Sequence, residues 1–149
     1  MSDAAVVRLL LFRVGALLCA AEAERVREIL PWLAPTRIPG APPIVAGLVN
    51  VRGTLVTVVE GWRALRQPEP PGEAGPGTTV VLEVGRGKKL LGFTVDEVVD
   101  LLSVGGEALE RRQALPGIDP TLVRAVGRRA GQLFVVLDTD ALLTPILSS

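Results

Sequence analysis

The stretch Val6-Val7-Arg8-Leu9-Leu10-Leu11-Phe12-Arg13-Val14 is apolar apart from its two arginines, and Gly15 closes it. A run this short reads as a strand, with Leu17 to Ala21 as its hairpin partner beyond a tight turn. Glu22 to Leu30 is richer in helix formers and places Val26, Ile29 and Leu30 at i, i+3, i+4. That spacing fits a helix, or equally a helical turn passing into a strand. Pro31, Pro35, Pro39, Pro42 and Pro43 then exclude regular structure and imply an ordered, extended connection. Ile44 to Val51 and Thr54 to Glu60 are β-branched runs around Arg52-Gly53, a dipeptide suited to a hairpin turn because glycine accepts positive φ. Gln67 to Thr78, rich in proline and glycine, buries almost nothing and marks an internal boundary. Thr79 to Val84, Lys89 to Val95 and Leu133 to Leu137 read as further strands, and Leu115 to Pro120 as a loop.

These signals occur twice in the same order. Phe12-Arg13-Val14-Gly15, a second apolar run and Glu24-Arg25-Val26-Arg27-Glu28-Ile29-Leu30 are echoed by Leu82-Glu83-Val84-Gly85, Leu90-Leu91-Gly92-Phe93 and Asp96-Glu97-Val98-Val99-Asp100-Leu101-Leu102. Gly53 to Glu60 is matched by Gly131 to Asp138, and Ala64-Leu65 by Leu142-Leu143. Two copies make a pseudo-duplicated, mainly β protein, not a solenoid, and short strands with turn residues between them favour two small barrels packed together. Each half has about 65 to 75 residues, marginal for a core of its own, so mutual packing should add stability.

Composition narrows the chemistry. The 149 residues carry 16 basic and 16 acidic side chains, no His, no Tyr and a single Cys. Zero net charge without a long basic run argues against a nucleic-acid partner. Missing imidazoles and cysteine clusters argue against metal centres, disulfide frameworks and most hydrolase or redox chemistry. Neither apolar stretch fits a targeting segment or a bilayer span: Val6 to Leu18 is too short, and Ile44 to Val59 is interrupted by Asn50, Arg52 and Gly53. A cytoplasmic protein is expected, with Cys19 as a small buried hydrophobe.

Gly72 to Gly77 lacks the Lys-Ser/Thr and following helix of a phosphate loop. Asp96-Glu97 and Asp138/Asp140 read as solvated strand ends, and Arg111-Arg112 and Arg124/Arg128-Arg129 as a solvated basic face. Val49-Asn50-Val51-Arg52-Gly53-Thr54-Leu55 stands apart, because Asn and Arg interrupt an apolar hairpin. Local physics alone leaves open a turn with a satisfied Asn side chain or a binding site.

Val26-Arg27-Glu28-Ile29, Thr36-Arg37-Ile38-Pro39-Gly40-Ala41-Pro42, Gly47-Leu48-Val49-Asn50-Val51-Arg52-Gly53 and Val56-Thr57-Val58-Val59-Glu60 closely resemble the CheW family, the coupling proteins of bacterial chemotaxis. Gly92-Phe93-Thr94-Val95-Asp96-Glu97-Val98 and Gly131 to Asp138 resemble that family's second half, so the likeness runs from about Val7 to Leu143. It implies one CheW-like domain over 1–149, made of two pseudo-duplicated five-stranded SH3-like β-barrel subdomains with short helices, at about 15–66 and 79–149 around a linker at 67–78. It further implies no catalysis, no cofactor and no metal. The implied partners are the cytoplasmic tip of a methyl-accepting chemoreceptor and the CheW-like regulatory domain of the histidine kinase CheA, with recruitment to membrane receptor arrays and no membrane insertion. Position by position, Val26, Glu28, Gly47 and Arg52 match places the family uses for partner binding, and Asn50 and Gly53 shape their hairpin. The chain departs from the family pattern at Cys19-Ala20-Ala21-Glu22, where smaller side chains leave less barrel packing, and at Glu60-Gly61-Trp62-Arg63, where a bulged strand end is expected. The alternatives are an adaptor of a pilus or surface-motility pathway, and a small barrel enzyme or ligand carrier using the groove between the halves.

Overall fold

A computed structural model describes residues 6–70, 77–85, 89–111 and 117–143. Its strands are β1 (Val6–Val14), β2 (Leu17–Glu22), β3 (Val26–Pro31), β4 (Val45–Val51), β5 (Thr54–Glu60), β6 (Thr78–Val84), β7 (Lys89–Val95), β8 (Glu97–Gly105), β9 (Glu110–Arg111), β10 (Val123–Arg129) and β11 (Gln132–Leu137). One four-residue helix, α1 (Gly61–Ala64), and short 3-10 turns complete the described chain. Of the two readings of Glu22 to Leu30, the second holds: a 3-10 turn at Ala23–Arg25 leads into β3. Val26 and Glu28 face inward there, while Arg27 and Ile29 face out. The bulge expected after β5 is instead a turn of helix, in which Gly61 donates to Thr94 Oγ1 at 3.1 Å. A Cβ on Gly61 would lie 2.2 Å from the Thr94 carbonyl oxygen. Strands β8, β9 and β10 add to those expected, and of the Leu115 to Pro120 loop, Leu115 and Pro116 lie outside the described residues, as does Pro71 to Pro76 of the linker.

The strands form two sheets, ordered β8-β1-β2-β11-β10-β9 and β3-β6-β7-β5-β4. The first thus has six strands where five were expected, because β9, two residues long, continues β8 beyond a 3-10 turn and pairs with β10. Sheet membership does not follow the order of the chain. The first half sends β1 and β2 into the sheet that holds β8 to β11, and the second half sends β6 and β7 into the sheet that holds β3 to β5. The exchange is reciprocal. Strand β2 joins β11 in parallel, with Val135 opposite Cys19, and β7 joins β5 in parallel, with Thr57 opposite Leu91.

That exchange explains the apolar run Leu9 to Phe12 in β1. A strand covered on both faces needs hydrophobes at both parities. Leu9 and Leu11 enter a cluster with Leu18, Ala20, Phe134 and Val136 inside the first sheet. Leu10, Phe12 and Val14 enter the central core between the sheets, where Phe12 meets Phe93 edge-on at 6.0 Å. A third cluster, Val49, Val56 and Val58, fills the second sheet. Cys19, Ala20 and Ala21 are wholly buried in β2, which pairs with β11 edge to edge in the first sheet. Burial pushes the Cys19 thiol up to about 12.

Candidate functional site

Strands β3 and β4 are the two outer strands of the five-stranded sheet, yet they come together, because the sheet rolls until its edges meet. Two contacts close the seam. Beyond β3, Thr36 bridges to Leu48 of β4, donating to its carbonyl at 2.8 Å and accepting from its amide at 2.9 Å. At the end of the seam, Arg52 Nη1 donates to Glu28 Oε1 at 2.8 Å.

The predicted site residues other than Val26 take distinct places along that seam. Gly47 sits at a register shift in β4 with φ of +148°, where a Cβ would lie 2.2 Å from the Thr36 carbonyl oxygen. Only glycine lets the Thr36 bridge approach so closely. Arg52 and Gly53, with φ of 51° and 87°, form the two-residue turn whose central residues are both left-handed, the form that matches strand twist. Gly53 donates its amide to Asn50 Oδ1 at 2.7 Å, so the Asn side chain is satisfied within the turn. Glu28 enters β3 just after a bulge and has a side chain only 21% exposed, against 79% for Arg52. Val26 instead packs against the central core. The structure therefore unites Glu28, Asn50, Arg52 and Gly53 at one edge, makes Gly47 part of the seam and turns Val26 inward.

Arg52 spends one nitrogen on Glu28 and projects most of its side chain into solvent, so its remaining donors face outward. A planar guanidinium so placed matches a carboxylate or carbonyl on a partner. On the strands of the same edge, Ile29 of β3 is 45% and Leu55 of β5 67% exposed, apolar surface that sequence reasoning did not single out. The outward parity of Ile29 on β3 was the available signal.

The groove required by the enzyme or carrier alternative exists, with about 560 Å³ between Trp32, Pro35, Pro43, Glu60, Trp62 and Arg63. Several of its charges are engaged within the chain: Glu60 accepts from Trp62 Nε1 and Arg63 Nε, and Arg63 stacks on the Trp62 ring at 4.5 Å, while Arg37 and Glu69 also line it. The paired acids Asp96 and Glu97 also serve structure, Asp96 accepting from the Gly15 amide and Glu97 pairing with Arg13. Asp140 binds Arg25 and the Gly85 amide. Arg124 and Arg129, expected on a solvated face, are paired with Glu22 and Asp100. Among the described residues no group of three acidic or cysteine side chains could hold a metal ion.

Two interlocked, rolled sheets with an outward-facing guanidinium edge define an all-β scaffold that works through its surface. The model of the CheW-like domain matches residues 8–146, and the chain belongs to that family. Chemotaxis protein CheW of Bacillus subtilis is 26% identical over 139 residues, covering 91% of this chain and 86% of that protein. Probable chemotaxis protein CheW of Rhizobium etli is 30% identical over 120 residues, covering 80% and 74%. The crystal structure of the scaffolding protein TtCheW from Thermoanaerobacter tengcongensis has the same fold, with a TM-score of 0.84 over 93% of each chain at 16% identity. The family is one of non-enzymatic chemotaxis scaffolds, and this chain is not an enzyme.

Proposed function

We propose that the chain is a chemotaxis adaptor that couples the cytoplasmic tip of a chemoreceptor to the regulatory domain of the histidine kinase CheA, working at the cytoplasmic face of receptor arrays. The observation that carries the reading is the Arg52 edge: a guanidinium held at a hairpin tip by Glu28 yet 79% exposed, on strands that also expose Ile29 and Leu55. An adaptor must contact two partners at once, so receptor state reaches the kinase through the geometry linking its surfaces. Arg52 engages a receptor carboxylate or carbonyl in this reading, and the kinase contact is mainly apolar and lies away from it.

The test is reconstitution of kinase autophosphorylation with a receptor signalling fragment. Stimulation requires all three components. Arg52→Ala keeps the fold and weakens receptor coupling about tenfold, the ordinary consequence of removing one well-placed interface arginine, and Arg52→Lys restores it only in part because the ammonium lacks the planar fork. Coupling by Arg52→Ala equal to wild type, or kinase stimulation without receptor, overturns the reading.

A further inference from the structure

The internal repeat, laid onto the structure, gives the Glu28–Arg52 edge a mate. Glu28 in β3 corresponds to Asp100 in β8, and the pairing agrees residue by residue. Val26 faces Leu82 and Glu28 faces Val81, with a bulge between; Val98 faces Phe12 and Asp100 faces Leu11, with a bulge between. The hairpins correspond as well: Arg52-Gly53 at φ of 51° and 87° is matched by Ala130-Gly131 at 51° and 82°. The position of Arg52 is thus occupied by alanine, but the guanidinium is not lost. It has moved one residue back, to Arg129, whose Nη2 donates to Asp100 Oδ2 at 2.8 Å. Like β3, β8 is an outer strand of its sheet, and like β3 it shows an apolar residue beside the acid, Leu101 at 51% exposure against Ile29 at 45%.

We propose that Asp100 and Arg129 form a second clasp, pseudo-symmetric to Glu28–Arg52, which positions strand β8 and with it the inter-sheet strand β1 for coupling. Two features separate this role from simple stabilisation. The side chains are 45% and 37% exposed, and ion pairs this open contribute little to stability. Asp100 also accepts the Leu101 amide at 2.8 Å, so the carboxylate is fixed to the bulge that sets the register of β8 on β1. The guanidinium comes from the far end of the sheet, the β10–β11 hairpin. The clasp therefore ties the register of β8 to the hairpin across the roll of the sheet, and β1 carries that register into the central core through Leu10, Phe12 and Val14. Arg52 keeps its donors outward, whereas Arg129 is more covered, so the second clasp acts by positioning and the first by contact.

The inference rests on the adaptor reading, and the experiment separates the two. Asp100→Asn, Arg129→Gln and the exchanged pair Asp100→Arg/Arg129→Asp are compared with wild type in the receptor–kinase assay and by amide hydrogen exchange over Val98 to Leu102, with thermal melts as control. Both single variants melt within a few degrees of wild type, exchange several-fold faster along β8 and couple about three- to tenfold less well; the exchanged pair recovers exchange protection and coupling. Single variants that exchange or couple as wild type overturn the inference, as does an exchanged pair that folds but recovers neither property. Failure of wild type to stimulate the kinase rejects the adaptor reading instead, and the exchange measurement still decides whether the clasp holds β8.

Discussion

Replacing Gly47 by alanine separates a partner contact from a seam residue. The new Cβ would lie 2.2 Å from the Thr36 carbonyl oxygen and 2.7 Å from its carbon, both backbone atoms that no rotamer change can move aside. Relief requires the Thr36 segment to withdraw, breaking the two hydrogen bonds to Leu48 at 2.8 and 2.9 Å. At about 1 kcal/mol each these account for about 2 kcal/mol, and holding alanine at a φ suited to glycine adds about 1 kcal/mol or more. A loss near 3 kcal/mol corresponds to a fall in Tm of about 6 to 12 °C for a domain of this size. Gly40→Ala is the control, since Gly40 also has positive φ, +79°, but nothing within 4 Å of the added Cβ. Scanning calorimetry on both variants should show the large shift for Gly47 alone. Equal shifts would refute the clash with Thr36 as the cause, and a Gly47→Ala protein that melts like wild type but fails to couple would return Gly47 to the partner surface.

Gly53→Val should cost about 1 kcal/mol or more, visible as an earlier urea midpoint, because φ of +87° strains a β-branched residue even with open space around it. Cys19 should resist a thiol reagent in the native state at pH 8 and react once the chain unfolds. Its pKa of about 12 leaves the buried thiol protonated there, whereas the unfolded thiol ionises near the ordinary value, and rapid native labelling would contradict its burial. Kinase affinity should change little between low and about molar salt if the kinase contact is apolar, and a loss of several orders of magnitude in a titration would show ion pairs in control.

Much of the fold was legible along the chain because the signals are local. Alternation, β-branched runs and Gly15, Gly53 and Gly131 at turns mark β1, β2, β4, β5, β6, β7 and β11 without tertiary information. An idle guanidinium in an apolar hairpin is costly, and the 2.8 Å pair of Arg52 with Glu28 satisfies part of it within the chain. Ile29 and Leu55 were harder to select, since an exposed hydrophobe and a core hydrophobe are the same letter. Val26 shows the reverse: its place in a family motif says nothing of its burial against the central core.

What the sequence determined by itself was a duplicated set of short strands with their turns, since backbone preference and side-chain parity act over a few residues. Which copy each strand serves is not written in any local stretch. Strands β1 and β2 carry hydrophobes on both faces and so must be covered on both, but either half offers suitable cover, and no local signal distinguishes them. The choice falls to packing over the whole molecule. Exchange of β1–β2 and β6–β7 between the copies buries both faces of β1, builds one core shared by the two sheets and brings Glu28 to Arg52 and Asp100 to Arg129 across the rolled edges.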